Sequence, residues 1–234
     1  MPGNLPTTAI CPGNLIMPLA LFDLDNTLLA GDSDYSWGQF IVTKGLVNSE
    51  TYSRMNQKFF EDYVRGELDA YLYQEFCIKP LKGKTLGEMS TLHREFMAAY
   101  IEPLWLPKAE ELIATHKNAG DRLVVITATN RFIVEPIVQK LGITDLICSE
   151  PGIEGDCYNG KLIDEPCMGP GKVSKLERWM QTEGENLTDS TFYSDSHNDL
   201  PLLGQVDHPV AVDPDDTLRS IARDNGWEII SLRN

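Results

Sequence analysis

Two pairs of aspartates follow apolar runs in this sequence, at places where burial of a charge is unfavourable. Asp23 and Asp25 stand at the end of the apolar run 17–22, which predicts a buried strand over 19–23. Asp195 and Asp199 follow TFYS, in a second predicted strand over 191–195. Neighbouring buried carboxylates repel one another, and each costs free energy unless a cation compensates it. Oxygen-rich sites of this kind suit Mg²⁺, which keeps several waters for substrate oxygens. The four aspartates therefore predict a magnesium site.

The same residues indicate phosphoryl chemistry. A carboxylate such as Asp23, held against a metal-bound phosphate, can attack phosphorus and form an aspartyl-phosphate. Asp25 can protonate the leaving oxygen and then activate the water. Thr127 ends the apolar run LVVIT, and Lys172 follows G-P-G at the start of a predicted helix. Both can donate hydrogen bonds to phosphate oxygens, where charge collects in the transition state.

The elements around these residues predict how they meet. After Pro107, short apolar runs alternate with helical patterns, which is typical of right-handed βαβ units in a parallel sheet, with ligands at the carboxyl ends of the strands. Residues 33–101 instead repeat apolar side chains at spacings of three and four, which predicts about four helices and no strand. Residues 158–160, Tyr-Asn-Gly, suggest the turn of a hairpin.

The predicted fold class is therefore α/β, a Rossmann-like doubly wound parallel sheet with an inserted all-helical cap domain. The predicted boundaries are a flexible N-terminal tail over 1–17, a core over 18–31 and 104–234, and a helical cap over 32–103. Met17 is an alternative to Met1 as the start of translation.

Composition restricts the partners. The net charge of −15 argues against nucleic acid and anionic membranes, which would repel the protein. Five cysteines, an odd number with no C-x-x-C pair, argue against a disulfide framework or structural zinc. No apolar run approaches the length of a membrane span, and the first residues lack the pattern of a secretory signal. We expect a cytoplasmic monomer or homodimer that binds a small phosphorylated metabolite.

Four segments together carry a family resemblance. D-L-D-N-T-L at 23–28 resembles motif I of the haloacid dehalogenase superfamily, and D-S-H-N-D at 195–199 resembles motif IV. Thr127 and Lys172 resemble motifs II and III, and the order and spacing match from Leu19 to the C-terminus. The helical insertion is similar to a type-one cap, as in the phosphoserine-phosphatase-like subgroup.

The resemblance implies an Mg²⁺-dependent phosphomonoesterase. Asp23 would be the nucleophile and Asp25 the general acid and base. Phosphate would be bound by Thr127, Ala128 and Lys172. The metal would be held by Asp23, the Asp25 carbonyl and Asp195, with Asp199 acting through water or a neighbouring ligand. A phosphate-binding or regulatory protein on the same fold is an alternative, because fold alone does not determine function.

Cap residues bear on the substrate. In phosphoserine phosphatases an acidic residue faces the substrate amine, and Asp32 takes that position here, with Asp34 close by. Those enzymes also use a cap arginine after a G-x-L turn to bind the substrate carboxylate. The segment Arg65–Leu68 resembles that turn, and an ungapped count from it arrives at Glu75.

Glu75 would repel the carboxylate of a substrate. This repulsion favours an amino-alcohol phosphate such as histidinol phosphate over phosphoserine. If the alignment shifts, Arg54, Arg65 or Arg94 would supply the missing cation, so phosphoserine phosphatase stays an alternative. The acidic cap residues are also compatible with plain solvated charges in an acidic protein.

Overall fold

A computed structural model describes residues 17–233, so all of the predicted N-terminal tail except Met17 lies outside the described residues. The strands, in chain order, are β1 Leu19–Phe22, β2 Arg122–Asn130, β3 Asp145–Ser149, β4 Pro151–Glu154, β5 Cys157–Leu162, β6 Thr191–Ser194, β7 His208–Val212 and β8 Glu228–Ile230. Six of them form one parallel sheet in the order β3-β2-β1-β6-β7-β8, while β4 and β5 form an antiparallel hairpin.

This order makes β1 and β6 neighbours at the point where the chain changes direction across the sheet. From β1 the chain proceeds outward through β2 and β3, and it later returns beside β1 to build β6, β7 and β8. In open α/β sheets the crevice at such a switch point, at the carboxyl ends of the strands, is where ligands bind. Asp23 and Asp195 follow the two strands that flank it.

Helices cover both faces of the sheet and fill the insertion. The insertion between β1 and β2 contains α1 Ser33–Thr43, α2 Ser49–Val64, α3 Ala70–Ile78 and α4 Leu86–Phe96, followed by a π-helical turn, Met97–Ile101. The remaining helices are α5 Pro107–Ala119, α6 Arg131–Lys140, α7 Pro170–Glu183, α8 Leu200–Leu203 and α9 Asp216–Asn225. The predicted α/β class, with its parallel sheet and inserted helices, is confirmed.

The alternation of side chains along β1 explains the layering. Leu19 and Leu21 point to one face and pack with residues of α7, α8 and α9. Ala20 and Phe22 point to the other face, where α5 and α6 lie. Both faces of β1 are thus covered by apolar contacts. Full burial of a leucine or phenylalanine side chain stabilises the folded state by about 1.5–3 kcal/mol. Polar side chains are left to the strand ends.

The helical insertion is attached to the sheet domain at two chain crossings. Where the chain leaves β1 and where it returns, the Ala30 N–H donates to the Leu104 carbonyl at 2.8 Å, and Leu29 bridges Trp105. The crossings therefore lie side by side.

The β4–β5 hairpin adds a third attachment. The hairpin predicted around residues 158–160 is confirmed, but its turn lies at Gly155–Asp156, with Gly155 at φ 63°. Tyr158 lies within β5, where its N–H donates to the Lys84 carbonyl at 3.0 Å and its carbonyl accepts from Gly83 at 2.8 Å. The Asn-Gly pair is thus part of a strand because β5 pairs with the insertion as well as with β4.

Within residues 17–233, none of the helices combines the length and the apolar character needed to cross a bilayer.

Candidate active site

The end of β1 brings two aspartates together through a threonine. The Asp23 N–H donates to the Tyr193 carbonyl at 2.9 Å, which continues the pairing with β6 by one residue. Asn26 then turns the chain with φ 57°, a conformation that asparagine tolerates better than most residues. The turn returns the Thr27 hydroxyl to within 3.3 Å of Asp195 Oδ1 and 3.5 Å of Asp23 Oδ2. Thr27 therefore links the two predicted metal ligands.

Lys172 is the buried cation of the site. Its ammonium donates to Asp23 Oδ1 and to Asp199 Oδ2, both at 2.7 Å, and Asp199 Oδ2 also accepts from Ser194 Oγ at 2.7 Å. Gly171, the preceding residue, allows the first turn of α7 to pack against the Pro166 carbonyl, because a Cβ there would lie 2.1 Å from that oxygen. Although burial disfavours the ammonium, the charges of Asp199 and Asp23 raise the pKa of Lys172.

Asp25 is held on both carboxylate oxygens. The Ser33 N–H donates to Oδ1 at 2.7 Å, and the Thr129 hydroxyl donates to Oδ2 at 2.8 Å. Burial, and next the charge of Asp32, raise the pKa of Asp25 to about 6, against the opposing effect of these hydrogen bonds. A carboxyl group with that pKa can hold a proton near neutral pH and lose it again, as a general acid and base must.

The buried charge at the rim of the sheet is unbalanced. The Lys172 ammonium pairs with Asp23 and Asp199, while Asp195, which Thr27 links to Asp23, has no ion pair within residues 17–233. Burial raises the pKa of Asp23 to about 7 even though Lys172 opposes the shift. Burial, and next the charge of Asp23, raise the pKa of Asp195 well above its usual range. A divalent cation beside Asp23 and Asp195 would offset this charge, so these residues fit the predicted Mg²⁺.

The four predicted metal-site aspartates do not converge as side chains. In the part of the chain that the structure describes, no three His, Cys, Asp or Glu side chains form a metal-binding group. The Asp25 carboxylate points to Ser33 and Thr129, and Asp199 is engaged by Lys172 and Ser194. Asp23 and Asp195 remain, with the Asp25 carbonyl, and Mg²⁺ often uses only one or two protein carboxylates.

A cavity connects these residues with the helical insertion. On the sheet side its lining residues are Asp23, Asp25, Asn26, Thr127, Ala128, Thr129, Met168, Lys172, Asn198 and Asp199. On the side of the insertion they are Asp32, Asp34, Tyr35, Asn56, Phe59, Phe60, Tyr63, Leu68 and Tyr73. The predicted phosphate-binding residues Thr127, Ala128 and Lys172 thus share one cavity with both catalytic candidates.

Two of the four predicted specificity residues line the cavity. Asp32 caps α1 by accepting from the Tyr35 N–H at 2.8 Å, and Asp34 is 4% exposed in the first turn of the same helix. Burial, and next the charge of Asp34, raise the pKa of Asp32 to about 6. Burial raises the pKa of Asp34 to about 6 as well, against hydrogen bonding by Tyr73.

Glu75 and Arg65 lie outside the cavity, contrary to the expectation from the sequence. Glu75 is on the exposed side of α3, whose inward positions are Gln74, Cys77 and Ile78. Arg65 is an exposed residue that pairs with Asp62 and Glu67. Arg54 and Arg94 are exposed as well, and neither lines the cavity. An ungapped residue count fails here because helix phase decides which side chains point inward.

Several contributors were not predicted as site residues. Thr27 is part of the D-L-D-N-T-L motif, so its position was a usable signal, and Thr129 lies two residues after Thr127 on β2. The aromatic residues of α2 and α3 carried no such signal, because their spacing equally predicts the buried face of a helix. Ser194 is the last residue of β6, and no sequence signal indicated that its hydroxyl donates to Asp199.

Comparison with known proteins gives consistent results. The family model of the haloacid dehalogenase-like hydrolases matches residues 20–204. A histidinol-phosphatase from Neisseria meningitidis is 42% identical over 220 residues, which are 92% of this chain and 99% of that protein. A phosphoserine phosphatase from Mycobacterium tuberculosis is 30% identical over 224 residues, 92% of this chain and 70% of that one.

A solved structure from Bordetella pertussis, described as a protein of unknown function, has a TM-score of 0.87 and 38% identity to this chain. The alignment covers 93% of this chain and 100% of that structure. The likeness therefore extends over both the sheet and the helical insertion.

Proposed function

We propose that this chain, a phosphatase that belongs to the haloacid dehalogenase-like hydrolase family, acts on a small phosphomonoester whose leaving group carries a cation and no carboxylate. Histidinol phosphate is the proposed substrate. The observation that carries the proposal is the charge of the cavity, which is lined by Asp32 and Asp34 and by no arginine of residues 17–233. The name of the Neisseria meningitidis relative supports the same substrate.

The proposed reaction begins at Asp23. Its carboxylate attacks phosphorus, and the bond between phosphorus and the leaving oxygen breaks as Asp25 gives that oxygen a proton. The products are the free alcohol and an aspartyl-phosphate on Asp23. Asp25, now ionised, takes a proton from a water that attacks the aspartyl-phosphate, and inorganic phosphate and the Asp23 carboxylate are released.

The remaining residues stabilise charge. Lys172 donates to phosphate oxygens while Asp199, which also accepts from the Ser194 hydroxyl, holds its ammonium in position. The Thr127 hydroxyl and the Ala128 backbone N–H donate to phosphate oxygens from the side of β2. Asp23, Asp195 and the Asp25 carbonyl would hold Mg²⁺, which supplies positive charge to the phosphate oxygens and lowers the cost of the buried carboxylates.

Asp25→Asn is expected to lower kcat by about 10²–10⁴-fold, the usual contribution of a positioned acid and base. The amide oxygen can still accept from the Ser33 N–H, and the Thr129 hydroxyl can accept from the amide NH2 where it donated before, but the amide cannot transfer the proton. Initial rates of phosphate release at saturating substrate measure the effect. Glu75→Gln, an exposed change on α3, is the control and should keep the wild-type rate. A wild-type rate for Asp25→Asn would remove Asp25 from the reaction.

The test of the proposed substrate compares kcat/KM for histidinol phosphate with that for phosphoserine. Pairing a buried carboxylate with a cation contributes about 1.5–3 kcal/mol, so we expect histidinol phosphate to be favoured by about 10- to 100-fold. The same carboxylates repel the carboxylate of phosphoserine. If phosphoserine is the better substrate, the charge argument is wrong, and the phosphoserine phosphatase from Mycobacterium tuberculosis becomes the better guide.

A further inference from the structure

Buried polar atoms without a hydrogen-bond partner are concentrated in one part of the described chain. They are Ser33 Oγ, Asp34 Oδ1, Trp37 Nε1, Gln74 Oε1 and both side-chain polar atoms of Asn130. These residues belong to three segments, namely the beginning of α1, α3 and the end of β2. The segments are in contact, since Cys77 of α3 donates to Asp34 at 3.4 Å and Gln74 donates to the Ala128 carbonyl at 3.0 Å.

Asp34 differs from the others because it is the charged one and because it lines the cavity. Its Oδ2 accepts the weak thiol hydrogen bond from Cys77, and burial raises the pKa of the carboxyl group while hydrogen bonding by Tyr73 lowers it. Its Oδ1 has no donor among residues 17–233, although the residue is only 4% exposed. Native proteins rarely leave a buried carboxylate oxygen unsatisfied, and a ligand is one explanation for such an atom. Asp34 is therefore open to a donor that arrives in the cavity.

Asp32 is engaged differently. Its Oδ1 accepts from the Tyr35 N–H at 2.8 Å, and its carbonyl accepts from the Ser36 hydroxyl at 2.7 Å, so it forms the N-terminal cap of α1. A cap of this kind stabilises the first turn of a helix, and here that turn contains Asp34. The two neighbouring aspartates thus have different tasks.

The walls beside Asp34 are aromatic. Tyr35 and Phe60 form one pair with ring centroids 5.5 Å apart, and Phe59 and Tyr73 form a second pair at 5.3 Å. All four residues line the cavity. Flat aromatic faces suit a planar ring, and they attract a positively charged one.

We propose that Asp34 is the specificity-determining residue for the leaving group, and that its Oδ1 accepts the N–H of a nitrogen heterocycle seated between the two aromatic pairs. The inference rests on the proposed function and restricts the leaving group to one that contains a nitrogen heterocycle. A phosphate ester that carries only an aliphatic ammonium lacks the planar ring, and one that carries neither ring nor ammonium lacks both the N–H donor and the positive charge.

Asp34→Asn tests this assignment with three esters, histidinol phosphate, phosphoethanolamine and glycerol phosphate. We expect kcat/KM for histidinol phosphate to fall by about 10- to 100-fold, mainly through KM, which is the contribution of one hydrogen bond to a charged group. Glycerol phosphate should change by less than about twofold, because phosphate binding and the acid and base are untouched. The fall for phosphoethanolamine should be smaller than that for histidinol phosphate.

Two controls separate selection from structure. Glu75→Gln, an exposed acidic residue on α3, should leave the ratio of kcat/KM for histidinol phosphate over glycerol phosphate unchanged. A thermal melt of Asp34→Asn excludes misfolding, and if that variant does not fold, Asp34→Ser is measured in its place.

The outcome that overturns the proposal is an unchanged ratio in the variant, whether both rates fall together or neither falls. If wild-type enzyme prefers phosphoserine, the proposed substrate fails by itself. The ratio of histidinol phosphate to glycerol phosphate in wild type and variant still decides the role of Asp34 in that case.

Discussion

Asp23→Asn is expected to lower kcat by roughly 10⁴-fold or more, because an amide cannot attack phosphorus and the reaction has no other route to the covalent intermediate. The fold should survive the change. The amide oxygen can still accept from Lys172, and one of three clustered carboxylates is removed from a site where burial already raises the pKa of Asp23 to about 7. Phosphate release and a thermal melt together measure the two effects.

A matched control for Asp23→Asn is an aspartate that pairs with another lysine of α7, the helix that carries Lys172. Asp164 pairs with Lys175 at 2.6 Å, and neither residue lines the cavity. Asp164→Asn therefore removes an aspartate from a lysine pair without touching the reaction, and it should keep the wild-type kcat. Hydrolysis by Asp23→Asn at a rate close to wild type would exclude covalent catalysis through Asp23.

Removal of Mg²⁺ with a chelator is expected to reduce turnover to background and to lower the melting temperature in a pH-dependent manner. The folded-state pKa of Asp23 is raised from 3.8 to about 7, and that of Asp195 is raised too, mainly by burial. In metal-free protein the folded state then holds more protons than the unfolded state. The stability that these two carboxyl groups contribute is fully present below their pKa in the unfolded state. It is lost as pH rises through their pKa in the folded state.

Mg²⁺ binds the ionised carboxylates, so its stabilising effect should increase over the same range. We expect the difference in melting temperature between Mg²⁺ and chelator to be larger at about pH 8 than at about pH 5. Ca²⁺ should restore turnover poorly, because its larger and looser coordination shell misplaces the nucleophile. Full turnover in chelator, or a metal effect on melting that is no larger at the higher pH, would contradict the assignment.

The sheet side of the site was predictable because parallel strands end at a common edge. Strand order in the sheet brings Asp23, Thr127 and Lys172 to one cavity, and Thr27 links Asp195 to Asp23 at the same edge. The insertion offered no comparable rule. Glu75 was expected in the cavity, but Tyr73 is the α3 residue that lines it, because the phase of a helix depends on how it packs.

The same difference explains the aromatic residues and the hairpin. Phe59 and Tyr63 repeat at helical spacing, which predicts a buried face but does not say whether that face meets other side chains or an open cavity. Asn159–Gly160 has the composition of a turn, yet it lies within β5 because that strand finds hydrogen-bond partners in the insertion. In both cases a contact with a distant segment outweighs local pattern.

The third attachment of the insertion has a consequence for how such proteins can be recombined. Tyr158 exchanges two backbone hydrogen bonds with Gly83 and Lys84, and the Leu86 N–H donates to the Asp156 carbonyl at 3.1 Å. A chimera that transplants residues 32–103 alone separates these partners from each other. The unit that can be exchanged between relatives is therefore discontinuous, and it comprises the four helices together with residues 151–162.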